Sequence, residues 1–131
     1  MLKFAIATAL VLCAQFAFAD SISGDYRRDE QHDVFITKLT DKPNTYFVTV
    51  FLVGQNNQSC LFENEMKLAS GGLVYASMNC AVGIAKDSPN SVKVVGSCPQ
   101  SCTDGMSIQV DGFVKASETE AISSVDLNKG D

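Results

Sequence analysis

The chain has 131 residues, the length of a single domain, and its 15 acidic and 10 basic side chains give a formal net charge of −5. This charge, with no basic stripe beyond Arg27 and Arg28, argues against nucleic acid and anionic membranes as partners. It favours a basic protein partner, although it would also serve solubility alone. With a single histidine and no His-rich motif, we expect neither a metal nor a cofactor.

The first 19 residues, MLKFAIATALVLCAQFAFA, have the pattern of a secretory signal peptide. Lys3 precedes an apolar run over residues 4–12, and residues 17–19 form an A-x-A cleavage signal. The run is too short for a membrane span, so we expect a periplasmic or secreted protein without a membrane anchor. After cleavage near Ala19 the chain keeps nine Lys and Arg against fifteen Asp and Glu, a charge of −6.

Residues 20–116 have β-strand patterning almost throughout and are predicted to form one domain. Segments 34–39 and 46–53 are rich in β-branched and aromatic residues, and the TDKPNT between them has turn chemistry. They predict a first hairpin. Segments 81–86 and 92–96, joined by DSPN, predict another.

The cysteines predict two disulfide bonds, because an even number in a short exported chain favours bridges. Segments 60–68 and 73–80 alternate in a further hairpin, and if residues whose numbers add up to 140 face each other, a Cys60–Cys80 bond is predicted. The spacing lacks the paired C-x2-C of structural zinc sites and the C-x-x-C of redox enzymes. The cysteines beyond the signal peptide are Cys60, Cys80, Cys98 and Cys102.

The C-terminal third leaves two alternatives open. Asp111-Gly112 predicts either a type I′ turn or a single bulged strand. In residues 117–131, Ser117 and Glu120 fit a capping box for a short helix, and a frayed polar tail is the alternative. The seven or eight short strands together predict an all-β fold, a small antiparallel β-barrel or β-sandwich stapled by disulfides.

Catalytic chemistry is sparse, and we predict that the protein is not an enzyme. His32 lies in RRDEQHD, where we expect a solvated surface position; a weak metal site with Glu30 and Asp33 is the alternative. Glu63 and Glu65 alternate onto one strand face, as a glycosidase carboxylate pair would. Their neighbours favour ordinary cross-strand pairing instead.

The tip of the second predicted hairpin, LASGGLVY, contains Ser70-Gly71 followed by Tyr75, which the register above places on the solvent-facing side. With the export signal, the all-β pattern and the cysteines, this stretch resembles the small periplasmic lysozyme inhibitors of Gram-negative bacteria. Members carry Ser-Gly-x-Tyr or Ser-Gly-x-x-Tyr on an exposed loop that enters the lysozyme active-site cleft. Here the tyrosine comes one residue later than in the longer form.

The resemblance implies a role for each tip residue. Ser70 would offer its hydroxyl to a catalytic carboxylate of the hydrolase, Gly71 and Gly72 would allow close backbone approach, and Tyr75 would be a rigid anchor. We therefore expect a periplasmic inhibitor or immunity protein that binds and occludes a cell-wall hydrolase such as a lysozyme. The basic partner would be attracted by the negative charge.

Two other functions remain open at this stage. A small-ligand carrier of the calycin type would have an open apolar interior, whereas an inhibitor would have a filled one. A structural subunit of an envelope assembly would expose an apolar patch or an unpaired strand edge.

Overall fold

The computed structural model describes residues 22–103, 106 and 108–129, and these form a closed antiparallel barrel of eight strands in chain order. This confirms the predicted all-β class and selects the barrel over the sandwich. The predicted signal peptide, residues 1–19, lies outside the described residues. The strands are β1 (Gly24–Asp29), β2 (His32–Lys38), β3 (Thr45–Val53), β4 (Ser59–Ala69), β5 (Gly72–Ser77), β6 (Cys80–Ser88), β7 (Ser91–Ser97) and β8 (Val110–Ser117), with a 3-10 turn (Pro99–Ser101) and helix α1 (Ser124–Lys129).

Side-chain alternation decides which face of each strand lines the interior. In β3 every second residue from Tyr46 to Leu52 is buried, and the residues between them face outward or are partly covered. The inward side chains fill the barrel as one continuous cluster. Its largest fully buried members are Tyr26, Tyr46, Phe62, Phe113, Ile36, Leu52 and Met66.

The first and third predicted hairpins are confirmed as β2–β3 and β6–β7. The sequence prediction missed β1, because GDYRRD offers one large inward residue among charges. That residue, Tyr26, is completely buried and its hydroxyl donates to the carbonyl oxygen of Ile22 at 2.9 Å. The RRDEQHD segment therefore spans the end of β1, a tight turn and the start of β2.

The predicted register of the second hairpin is wrong by one residue. Leu68 lies opposite Leu73 and Ala69 opposite Gly72, so the connection is a two-residue turn rather than the longer loop that the prediction required. A one-residue shift moves every side chain of a strand to the other face. Leu73 is therefore buried, whereas Val74, predicted to face the core, is 48% exposed.

The predicted strand 73–80 is also divided in two. β5 ends at Ser77, Met78 and Asn79 form a turn, and Cys80 starts β6 directly opposite Ser77. Cys80 therefore does not lie opposite Cys60, and the predicted Cys60–Cys80 bond is wrong. The turn carries Met78 almost completely exposed at its corner.

Two disulfide bonds are present, as predicted, with different partners. Cys60 is bonded to Cys102 and Cys80 to Cys98, with Cα–Cα distances of 4.0 and 4.1 Å. Both bonds attach the β7–β8 connection to the starts of β4 and β6. Since these strand starts lie at the same end of the barrel, the connection is held across that end.

Further contacts seat the same connection on the barrel. The Thr103 amide donates to the Ser59 carbonyl at 2.9 Å, and the Ser59 amide donates to the Thr103 hydroxyl at 2.9 Å. Ile108 is completely buried in the core cluster, and Met106 packs against that cluster. The β7–β8 connection thus covers the bridged end of the barrel with apolar side chains.

Asp111-Gly112 lies inside one strand, which confirms the bulge and excludes the hairpin turn. Between the Val92–Phe113 and Val94–Val110 pairs, β8 advances three residues while β7 advances two. Gly112 takes the positive φ of +83° that such an extra residue requires.

The segment after β8 returns along β2 at the other end of the barrel. The Ile122 amide donates to the Lys38 carbonyl and the Thr40 amide to the Ile122 carbonyl, both at 3.0 Å. Helix α1 begins at Ser124 rather than next to the predicted cap at Ser117, and Asp41 binds both the amide and the hydroxyl of Ser124. Within the part of the chain that the structure describes, no helix has the length and apolar character to cross a membrane.

We expect non-reducing peptide mapping to recover Cys60 with Cys102 and Cys80 with Cys98. Replacing either pair by alanines should lower the free energy of unfolding by about 3 kcal/mol, because each bond closes a loop of comparable effective length once the other is intact. Urea denaturation of the two double variants measures this cost. A peptide that links Cys60 to Cys80 would contradict the observed topology.

Candidate functional site

The β4–β5 turn is the most exposed of the predicted site features. Ser70 and Gly71 have φ values of +48° and +82°, the combination that defines a type I′ turn. Both residues are exposed, and a Cβ added at Gly71 would meet no atom within 4 Å. The Ser70 hydroxyl and the Gly71 backbone therefore project into open space.

Gly72 has a different role from Gly71. It is buried, and a Cβ at this position would lie 2.5 Å from the backbone oxygen of Ile84 on β6. Non-bonded carbon and oxygen atoms do not approach each other this closely. Only glycine, which has no Cβ, therefore allows the observed spacing between β5 and β6 at this point. Gly72 sets the strand spacing beneath the turn and is not part of its accessible tip.

The sequence predicts that Tyr75 faces solvent, and this prediction is wrong. Because of the register shift its ring points to the barrel interior, where its centroid lies 5.3 Å from that of Phe62 at an interplanar angle of 76°. This edge-to-face arrangement is typical of packed aromatic pairs. Tyr75 is half-buried against the core and supports β5 from inside.

The turn lies at the opposite end of the barrel from the disulfide bonds. β4 begins next to Cys60 and runs for 11 residues to Ala69, which places about 30 Å between the bridge and the turn. The turn is held instead by the long β3–β4 pairing and by the Leu68 amide, which donates to the Asn44 carbonyl at 2.8 Å. The bridge that the sequence predicts at the base of this hairpin, Cys60–Cys80, is absent, and Cys60 instead attaches β4 to Cys102 of the β7–β8 connection.

A shallow depression of about 280 Å³ adjoins the turn. Val74, Gly83 and Val95 lie side by side on three neighbouring strands, and the missing side chain of Gly83 leaves a dip between the two valines. Ser70 and Gly71 form part of its rim. The turn is thus continuous with a small apolar surface.

His32 is less solvated than predicted. Its side chain is 15% exposed, and its Nδ1 lies 2.6 Å from Oδ1 of Asp29. This contact lowers the pKa of the Asp29 carboxyl. Across residues 22–103, 106 and 108–129, no three His, Cys, Asp or Glu side chains are grouped for a metal ion.

Glu63 and Glu65 both face outward, and they are not equivalent. The carboxylate of Glu65 accepts from Nζ of Lys42 at 2.9 Å on each oxygen, a bidentate pair between the β2–β3 loop and β4. Lys67 instead donates to the Thr45 hydroxyl. Glu63 makes no ion pair with a described residue, so the two carboxylates do not share one environment as an acid–base pair would.

Sequence reasoning missed a carboxyl pair on the outer face of β1 and β2. Asp33 lies opposite Arg27 on β1 and opposite Phe51 on β3. Burial and the neighbouring Asp25 carboxyl raise the pKa of Asp33 to about 6, against a smaller lowering by Arg27. Asp25 and Arg27 are two residues apart in the sequence. This spacing places their side chains on the same face only if the segment is a β-strand, and β1 was not predicted from the sequence.

Comparison with protein-family models, with curated proteins and with solved structures found no match to this chain in any of the three. The candidate site is therefore assigned from its own geometry.

We expect Gly72→Ala to destabilise the barrel by about 2 to 4 kcal/mol, because a backbone atom blocks the added methyl group. Gly71→Ala, one residue away, should cost about 1 kcal/mol, since it meets only the penalty of a positive φ. Thermal and urea unfolding compare the two. Equal losses would show that β5 and β6 are not in close contact at this point.

The Asp33 pKa predicts a pH dependence of stability. A folded pKa of about 6, above the ordinary 3.8, means that the folded chain binds this proton more tightly. The resulting stabilisation is fully present below pH 3.8 and is lost as the pH rises through 6. The free energy of unfolding, measured in urea, should therefore fall from about pH 4.5 to about pH 7.5.

Asp33→Asn should flatten this pH profile, because the side chain keeps its shape and no longer titrates. Asp87→Asn, at an exposed position on β6, is the matched control and should leave the slope unchanged. Asp29 and Asp41 have lowered pKa values, so their effects fall below this pH window. An unchanged slope in Asp33→Asn would contradict the assignment.

Proposed function

We propose that the protein is an exported inhibitor or immunity protein that binds a cell-wall hydrolase, such as a lysozyme, and occludes its substrate cleft with the β4–β5 turn. The observation that carries this proposal is the geometry of Ser70 and Gly71. They form a narrow, exposed type I′ turn with open space around it, on a barrel whose interior is filled. Localisation in the periplasm, or secretion after cleavage near Ala19, belongs to the same proposal.

The chemistry of the turn suits a glycosidase cleft. Cell-wall glycosidases act with a pair of carboxyl groups that flank the scissile bond, and an inserted hydroxyl can donate to a carboxylate there. Ser70 supplies such a hydroxyl. Gly71 adds no side chain, so the backbone of the turn can approach the cleft floor closely.

Charge supports a basic target. The chain carries a formal charge of −5, and opposite net charges raise the rate at which two proteins meet. Since such steering is screened by salt, the association rate with a basic hydrolase is expected to fall as ionic strength rises.

The structure narrows the contact surface that the resemblance implied. Tyr75 packs inside the barrel and Gly72 is buried, so neither is included in the proposed contact. The exposed Val74 and Val95 beside the turn take the place of the aromatic anchor. The proposed contact surface therefore consists of the turn at Ser70 and Gly71 and the small apolar surface that Val74 and Val95 form beside it.

The two competing functions receive less support from the same observations. A calycin-type carrier needs interior space, whereas the inward side chains here are packed in one buried cluster. A subunit that assembles by strand addition needs a free edge, and the eight described strands close on themselves.

The test is inhibition of cell-wall hydrolysis by lysozymes of the C, G and I types, with the protein lacking residues 1–19. We expect inhibition of at least one type. Gly71→Asn should weaken it by about tenfold, because asparagine tolerates the positive φ and adds a side chain at the tip. Ser70→Gly should weaken it to a smaller extent by removing the hydroxyl alone.

Asn57→Gly is the matched control. It changes a positive-φ residue in the β3–β4 connection, at the other end of the barrel, and should leave inhibition unchanged. Absence of inhibition with all three lysozyme types would overturn the lysozyme target. Inhibition that neither turn variant alters would retain the function and overturn the proposed contact.

A further inference from the structure

A second apolar surface lies on the outside of the barrel, on β2 and β3, away from the β4–β5 turn. A groove of about 400 Å³ separates helix α1 and the segment before it from these two strands. Phe35 and Phe47 form the apolar part of its floor, beside Thr37 and Thr49 on the same strands, and Ile122 and Leu127 form its wall. We refer to it as the lateral groove.

The lateral groove continues as an apolar stripe along the barrel. Phe51 is 40% exposed, and Leu61 lies directly opposite it on β4 and is 49% exposed. From Phe47 to Phe51 the stripe extends about 13 Å along β3. It therefore forms an elongated surface rather than a compact pocket.

Negative charge flanks the lateral groove on both sides. Glu120 lines one side, and Glu63 lies on β4 directly opposite Thr49, which lines the floor. Neither carboxylate makes an ion pair with a described residue. The nearby cations Lys42 and Arg27 are paired with Glu65 and Asp25, and Lys67 donates to the Thr45 hydroxyl, so none of these three forms an ion pair with Glu63 or Glu120.

We infer that the lateral groove binds an amphipathic, positively charged helix of a partner protein. An apolar floor with unpaired carboxylates on both sides complements a helix with one apolar face and flanking Lys or Arg. A stripe of about 13 Å matches about nine helical residues, enough for apolar side chains at positions i, i+4 and i+7.

The strand pairing of the barrel determines which secondary structure the bound segment can have. An extended segment gains affinity by adding a strand to a free sheet edge, and the two strands under the lateral groove are each paired on both sides, β2 with β1 and β3, and β3 with β2 and β4. Recognition at the lateral groove must therefore use side chains, as helix-in-groove recognition does. An anionic membrane is a poor occupant because Glu63 and Glu120 would repel it.

The experiment uses three fluorescein-labelled peptides of about 18 residues, in which an apolar face alternates with a charged one. A Leu/Lys peptide should bind, as measured by fluorescence anisotropy. A Leu/Glu peptide with the same apolar face, and a Ser/Lys peptide with the same charge, should each bind about tenfold more weakly or worse.

Protein variants locate the binding surface. Phe35→Ser should weaken the Leu/Lys peptide about tenfold, and Met78→Ser, at an exposed apolar position in the β5–β6 turn, should not. Glu63→Gln and Glu120→Gln should each weaken binding about threefold at low salt, whereas Asp87→Asn should not. These are surface positions, and thermal unfolding confirms that each variant is folded.

Three results would overturn the inference. The first is equal binding of the Leu/Lys and Leu/Glu peptides, which would indicate apolar adhesion alone. The second is unchanged binding to Phe35→Ser in a folded protein, which would place the peptide elsewhere. The third is binding to vesicles of phosphatidylglycerol and not to the Leu/Lys peptide, which would identify a lipid surface as the occupant.

Discussion

The two disulfide bonds hold the β7–β8 connection across one end of the barrel, and the covering of the core at that end depends on this constraint. The connection joins neighbouring strands but is bonded to β4 through Cys102 and to β6 through Cys98. Cross-linking restricts the unfolded chain, and Ile108 of the same connection is completely buried in the core. A chain of this size buries a limited core, so covalent closure of one end compensates for apolar area that a larger domain would supply.

Closure at one end leaves the other free for exposed features. The β2–β3 loop, the β4–β5 turn and the start of α1 meet at the unbridged end, where Asp41 fixes Ser124 and Asn44 fixes Leu68. Local hydrogen bonds, rather than a bridge, hold these segments. Because β4 pairs with β5 over only three residues, the turn between them also depends on the longer β3–β4 pairing.

Much of the barrel could be predicted from the sequence, since β2, β3, β6 and β7 carry clear runs of β-branched residues that alternate in burial. The disulfide pairing could not, because it depends on where the β7–β8 connection crosses the barrel, which is a property of the closed fold. The register of β4 and β5 failed for a related reason. Placing Cys60 opposite Cys80 imposed a longer loop on Ser70 and Gly71, whose positive φ values favour a two-residue turn.

The one-residue register shift also changes which residues of the Ser70-Gly71-Gly72 segment and its neighbour Tyr75 are exposed. In the predicted register, glycines and tyrosine formed one outward surface; in the structure Gly71 is exposed, Gly72 makes room for β6, and Tyr75 packs on Phe62. Gly72 and Tyr75 are therefore constrained by packing against two different parts of the fold, whereas Gly71 is constrained only by the positive φ of the turn. Ser70 and Gly71 are both exposed, so packing in the barrel interior does not account for them. A binding role for the turn must consequently rest on these two residues and on the apolar surface beside them.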